Sequence, residues 1–248
     1  MNQKIKTYFL AFLGVMIFLT ISCKKDSTDT TPVVPDPSSG TITDFDGNVY
    51  HSVTIGAQVW MLENLKTTHY RNGDAITTGL SDAAWKTATT EAYAECNNNV
   101  ANSATYGKLY NWYAVADSRK IAPVGYHVAT NSEWNKLLKY LDATTDTVCQ
   151  SCNQSALAGG MLKEVGTTHW LTPNTGASNT TGFTALPGGS RNQLGGVYQD
   201  FGTRGDFWCS TEYSTSWAWS RELFNNSGNV FSLAKYKQFG LSVRCVKD

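Results

Sequence analysis

The chain has 248 residues, 20 Lys and Arg against 20 Asp and Glu, and an aromatic content of 12%. Balanced charge without a Lys/Arg cluster excludes nucleic-acid binding by counterion release. No period of about 20 to 50 residues emerges, so a repeat array is excluded as well.

Residues 1–22 read as a signal peptide: Lys4 and Lys6 precede a 14-residue apolar run from Tyr8 to Ile21, and the small residue Ser22 stands before Cys23. A membrane-spanning helix needs about 20 apolar residues, so this run is a signal h-region. A thiol placed directly after a small residue is what lipid attachment requires, and Cys23 is the predicted lipidation site. Thr20 stands where a Leu is usual in such sites. Removal of the segment takes away two of the 20 Lys and Arg and none of the 20 Asp and Glu, leaving a net charge of −2. Residues 23–40 form a lipid-anchored linker, because Thr, Ser, Asp and three Pro surround only Val33 and Val34 as apolar residues. Held extended, the 16 residues 24–39 span on the order of 50 Å. The predicted location is the cell envelope, as an outer-membrane lipoprotein facing the periplasm or the cell surface.

All eight Trp lie between Trp60 and Trp219, and no later stretch has linker composition, so residues 41–248 are predicted to be one domain. A chain of that size buries roughly 70% of its unfolded surface. Strands are expected at 41–45 and 49–55 around the turn Asp46-Gly47-Asn48, and again at 58–61. A helix is expected at 108–116, with Leu109, Trp112, Tyr113 and Ala116 on one side. The strongest helix signal covers 132–141: Thr130 and Glu133 fit a capping box, and Trp134, Leu137, Leu138 and Leu141 form one stripe. A third helix is expected at 154–165, weakened by Gly159-Gly160. From Phe207 to the end, three or four strands alternate with turns at 225–229 and 238–240. These elements make an α+β fold class of short antiparallel strands, two or three helices and long loops.

With Cys23 assigned to lipid, Cys96, Cys149, Cys152, Cys209 and Cys245 remain. Cys209 and Cys245 both fall in predicted strands of the C-terminal sheet, and a disulfide between them is expected, against the alternative of unpaired thiols. Cys149-Gln150-Ser151-Cys152 lacks the helix context of a redox motif and the second ligand pair of a zinc site, so it reads as a local clip or a partner for Cys96. No metal and no cofactor are predicted.

No Gly-x-Ser-x-Gly elbow or His-Glu-x-x-His helix is present. Glycoside hydrolysis needs two carboxylates about 5 to 9.5 Å apart. Glu63, Asp200, Asp206, Glu212 and Glu222 are the candidates, each with a solvated or ion-paired surface role as the simpler reading. Pro187-Gly188-Gly189-Ser190-Arg191 lacks the Lys and spacing of a P-loop; its glycines permit a tight turn, and Arg191 is expected to pair with a nearby carbonyl or carboxylate.

Four stretches carry a family resemblance: 106–115 (YGKLYNWYAV), 125–134 (GYHVATNSEW), 181–191 (TGFTALPGGSR) and 240–248 (GLSVRCVKD). Together they resemble the Fibrobacter succinogenes major paralogous domain, a family of secreted bacterial surface modules. The resemblance implies a C-type lectin-like scaffold, related to that of formylglycine-generating enzymes, which displays loops. Members of the family typically carry Cys-Pro where this chain has Ala122-Pro123, and more often Ser where it has Cys209, which fits a relocated bridge. The catalytic cysteine pair of the formylglycine-generating enzymes has no counterpart near Gly195 to Asp200. The resulting expectation is a non-catalytic binding or adhesion module for a protein or glycan, with a secreted enzyme, a glycoside hydrolase or degenerate oxidase, as the alternative. The predicted ligand residues are Trp217, Trp219, Arg221 and Asn226, grouped around the polar turn 225–229, because loops on a rigid scaffold concentrate contact residues.

Overall fold

The computed structural model describes residues 41–248; the expected signal peptide 1–22, Cys23 and the expected linker 23–40 lie outside the described residues. Chain order begins with β1 (Ile42–Thr43) and β2 (Val49–Tyr50), an antiparallel pair closed by Asp44, whose carboxylate accepts from the Asn48 backbone at 2.9 Å and from the Tyr50 hydroxyl at 2.6 Å. The run 49–55 is divided at His51, whose N–H donates to Glu63 instead of joining a ladder. Strand β3 (Ser52–Ile55) then turns back as β4 (Gln58–Met61). Helix α1 (Asp82–Lys86), capped by Ser81, leads to β5 (Tyr93–Glu95) and α2 (Ser103–Tyr106).

The helix expected at 108–116 is two elements. Lys108, Leu109 and Tyr110 form β6 (Lys108–Tyr110), paired with β5, and only then does α3 (Trp112–Val115) begin. Asn111 makes the break, because its side-chain oxygen accepts from Ala114 N–H as an N-cap and from Ala92 N–H across the loop. After β7 (Tyr126–Val128) comes α4 (Asn131–Leu141), with the Thr130/Glu133 capping box formed and Trp134, Leu137 and Leu138 buried.

The third expected helix is also divided, into β8 (Cys152–Ser155) and α5 (Ala158–Leu162). Here the two glycines have a positive role. A Cβ on Gly159 would lie 2.2 Å from the carbonyl oxygen of Asn229, and one on Gly160 2.2 Å from that of Gly176, so only glycine lets these backbones meet. The remaining strands are β9 (Ser190–Arg191), β10 (Tyr198–Gln199), β11 (Arg204–Glu212), β12 (Trp217–Phe224), β13 (Val230–Tyr236) and β14 (Cys245–Lys247). The expectation of three or four strands after residue 207 is met by the last four.

Two four-stranded antiparallel sheets dominate, ordered β11-β12-β13-β8 and β3-β4-β14-β7. The last strand therefore lies between two early ones. Between α4 and the sheets, Trp60, Trp134 and Phe183 meet with ring centroids 5.0 to 5.6 Å apart, all fully buried. A second core gathers Tyr50, Met61, Tyr110, Trp208 and Val243.

The stretches that carry the family resemblance place most of their apolar residues and both of their arginines in the interior. Arg244 is fully buried, donating to Asn64 Oδ1 at 2.6 Å and to the carbonyls of Met61, Phe183 and Thr184 at 2.8 to 3.0 Å, with Phe183 under its guanidinium. Burial pulls its pKa down to about 9. Arg191 lies between the Trp85 and Tyr198 rings and bonds Gly196 O, Leu80 O and Asp82, as its sequence context led us to expect. Gly189 has φ +63°, and a Cβ there would meet Gln199 O at 2.3 Å, so the glycine pair serves close packing.

The Cys209–Cys245 bridge is not formed: both are free, buried thiols, as is Cys96. They belong to different sheets and different core clusters, Cys209 facing α4 and Cys245 facing Tyr50 and Val128. The disulfide is the local one, Cys149–Cys152.

Candidate functional site

The four predicted ligand residues do not converge. Along β12, Trp217, Trp219, Arg221 and Leu223 share one face, because successive strand side chains alternate. Helix α4 covers only part of that face. Under the helix, Arg221 is fully buried; it donates to Asn131 Oδ1 and Asn135 Oδ1, both at 2.7 Å, and to Ser220 O at 3.0 Å. It clamps α4 to the sheet and is unavailable to a ligand.

Asn226 is exposed, but it lies past the far end of β12, a strand that itself spans roughly 23 Å from Trp217 to Phe224 at about 3.3 Å per residue. Its turn is a junction rather than a display loop. The ammonium of Lys163, itself buried, donates to Thr175 O, Phe224 O and Ser227 O at 2.8 to 2.9 Å. Burial pulls the Lys163 pKa down to about 8, while the three carbonyl acceptors engage all three N–H donors of the ammonium. Asn225 adds bonds to Leu171 O and Thr172 O, and Gly160 N–H donates to Gly228 O.

Beyond the edge of α4 the same face of the sheet is open and aromatic. Trp217 and Tyr236 are direct cross-strand partners, with ring centroids 3.8 Å apart and planes 31° from parallel. Next to them Trp219 meets Tyr213 edge to face at 4.9 Å. Tyr213 is 45% exposed and Tyr236 37%, values high enough for their rings to reach solvent. Opposite Trp219 stands Ala234, whose small side chain leaves room over β13. From the β11 side, the Tyr213 hydroxyl donates to Gln150 Oε1 at 3.3 Å, so the Cys149–Cys152 loop closes the far wall. Glu212 and its ion-pair partner Lys237 lie on the opposite face of the sheet, beside Trp112.

Tyr213, Tyr236 and Gln150 were absent from the residues named on sequence. Tyr236 had a signal: folding the chain about the turn 225–229 places it opposite Trp217. Tyr213 and Gln150 had none, because their meeting depends on loops.

The carboxylates considered for hydrolysis are engaged elsewhere. Asp206 and Glu222 do face each other across β11 and β12, but Lys235 Nζ sits between them at 3.0 and 2.5 Å, and Arg204 adds a 2.9 Å contact to Asp206. Burial, and then the charge of Asp206, raise the Glu222 pKa. Glu63 bonds His51 at 2.7 Å and Asp200 bonds Arg204 at 2.8 Å. A separate cleft of about 160 Å³ lies among Arg71, Tyr126, His127, Ser210 and Asp248. It is smaller than the roughly 300 Å³ at which ligand pockets begin, and its Arg71 guanidinium is occupied by the carbonyls of Ala122, Pro123 and Tyr126.

The model of one protein family, the Fibrobacter succinogenes major domain, matches residues 53–247. No curated protein and no solved structure matches the chain.

Proposed function

The chain belongs to the Fibrobacter succinogenes major domain family, and from that premise we propose that it is a non-catalytic envelope lipoprotein whose α+β domain binds glycan through the ledge of Tyr213, Trp217, Trp219 and Tyr236. The observation that carries this reading is the pair of ring contacts left uncovered where α4 ends. Flat aromatic rings present a desolvated surface to the apolar face of a pyranose, and Gln150, beside Tyr213, offers a hydrogen-bonding group that fixes orientation. In this reading the scaffold is C-type lectin-like. Support comes from the sheet order β3-β4-β14-β7, which brings the last strand of the domain between early ones and leaves the long middle segment to form loops.

Anchoring is assigned to Cys23, with the 23–40 linker as tether. Among the described residues no helix is long and apolar enough to cross a membrane. A Cys23→Ser chain should leave the detergent phase in a partitioning assay; retention there would refute lipid anchoring.

A glycan and protein array probed with the full chain tests the ledge. Binding to glycans that is lost in Trp217→Ala and Tyr236→Ala supports it. Binding only to proteins, or binding indifferent to both variants, overturns it.

A further inference from the structure

The Cys149–Cys152 loop contains a third candidate ligand. The carboxylate of Asp146 and the two sulfur atoms all lie within 4.8 Å of one another. Tetrahedral coordination with metal–sulfur bonds of about 2.3 Å separates neighbouring ligand atoms by roughly 3.8 Å, so small side-chain adjustments suffice once the sulfurs are no longer bonded. We propose that Asp146, Cys149 and Cys152 form a redox-gated site for a thiophilic divalent cation such as Zn²⁺.

The backbone already positions the carboxylate. Asp146 Oδ1 accepts from Val148 N–H at 3.0 Å and Cys149 N–H at 3.2 Å, which turns the side chain over the cysteines, while Asp146 N–H donates to Gln154 O and ties the loop base to β8. The Asp146 carboxylate is exposed and, among the described residues, engaged in no ion pair, and both cysteines are half-buried. Ion and reductant can therefore reach the site. Cys96, Cys209 and Cys245 cannot compete, since all three are buried in the core.

The chemistry balances with a dithiol as reductant. Its thiolate attacks one sulfur of the protein disulfide to give a mixed disulfide and releases the other as a thiol. The second thiol of the reductant then closes its own disulfide and frees the second cysteine. Two electrons pass to the protein and the reductant is oxidised by two. Cation binding displaces both thiol protons, and water fills the fourth position. The loop thus has two alternative closures, a covalent bond when oxidised, in which Gln150 stands beside Tyr213, and a metal when reduced.

Titration of the full chain with Co²⁺, read by thiolate-to-metal charge-transfer absorption, tests the site without any substitution. The reduced protein should bind one equivalent, displaceable by Zn²⁺, and the oxidised protein none. Cys149→Ser should abolish the band, and Asp146→Asn, at an exposed position, should weaken Co²⁺ at least tenfold while melting like the parent. Absence of a one-equivalent band in reduced protein, equal binding in both redox states, or unchanged affinity in Asp146→Asn would each overturn the proposal.

Discussion

At its C-terminal end β12 runs into a junction where Lys163 draws together three carbonyls and two glycines admit neighbouring backbone; at its N-terminal end Trp217 and Trp219 leave the shelter of α4 and meet Tyr236 and Tyr213 at the surface. The sequence character of the two ends points the other way. The polar turn 225–229 has the composition of a free loop, and the tryptophans have the composition of core. Polarity alone therefore does not mark a binding face: the backbone carbonyls of a turn are as good an anchor for a buried cation as they are a solvated surface.

Substitutions sharpen this contrast in descending order of effect. Arg244→Ala should cause the largest loss, because it leaves Asn64 and three buried carbonyls without a donor. A destabilisation of about 4 kcal/mol, seen as a lower denaturant midpoint, is expected. Lys163→Met should follow at about 2 kcal/mol, since three carbonyls lose their donor while the aliphatic stem is kept. If it unfolds no more easily than the parent, the junction is not what holds this end of the sheet.

At the open end the pattern should invert. Trp217→Ala and Tyr236→Ala should each weaken a bound glycan about tenfold, a loss of about 1.4 kcal/mol, while changing the melting temperature little. Asn226→Ala should alter neither affinity nor stability by more than about 0.5 kcal/mol. A larger effect on affinity would move the binding face back to the turn.

The pH dependence reports on a third region. His127 has one ring nitrogen 2.7 Å from Asp248 and the other 2.8 Å from Glu133. Burial opposes its charge, but the two carboxylates override this and raise its pKa above 6.5. Burial likewise opposes ionisation of Glu133, yet its bonds to Thr130 and His127 lower its pKa below 4.5. The His127 contribution is therefore complete below pH 6.5 and lost as pH rises through the raised value; the Glu133 contribution is complete above pH 4.5 and lost as pH falls through the lowered one. His127→Gln should flatten the alkaline arm of the stability profile, most visibly at low ionic strength because the ring is partly exposed.

What was legible in the sequence was what depends on local chemistry. The capping box and apolar stripe of α4 follow from neighbouring residues and are found where their patterns lie, and the three or four strands expected from Phe207 onward are the four strands β11 to β14, the first of which begins at Arg204. Residues 108–116 misled because a buried segment satisfies a helical stripe whichever side its residues face. Tyr110 pairs with Tyr93 and Leu241 in a ladder that no local signal announces. Arg221 misled for a related reason: its alternation with Trp217 and Trp219 was readable, but the point at which α4 stops covering the strand was not. The cysteines divide the same way, with the closure over a separation of three residues formed and the long-range bridge absent.

The placement of Lys163 also bears on what closes the sheet at the C-terminal end of β12. A bound calcium ion can close a convergence of carbonyl oxygens, and that closure loosens wherever the ion is scarce or sequestered. Here the positive charge at the convergence of Thr175, Phe224 and Ser227 is carried covalently by the chain. It cannot be chelated or diluted away, so the closure of this end of the sheet does not depend on the mineral content of its surroundings.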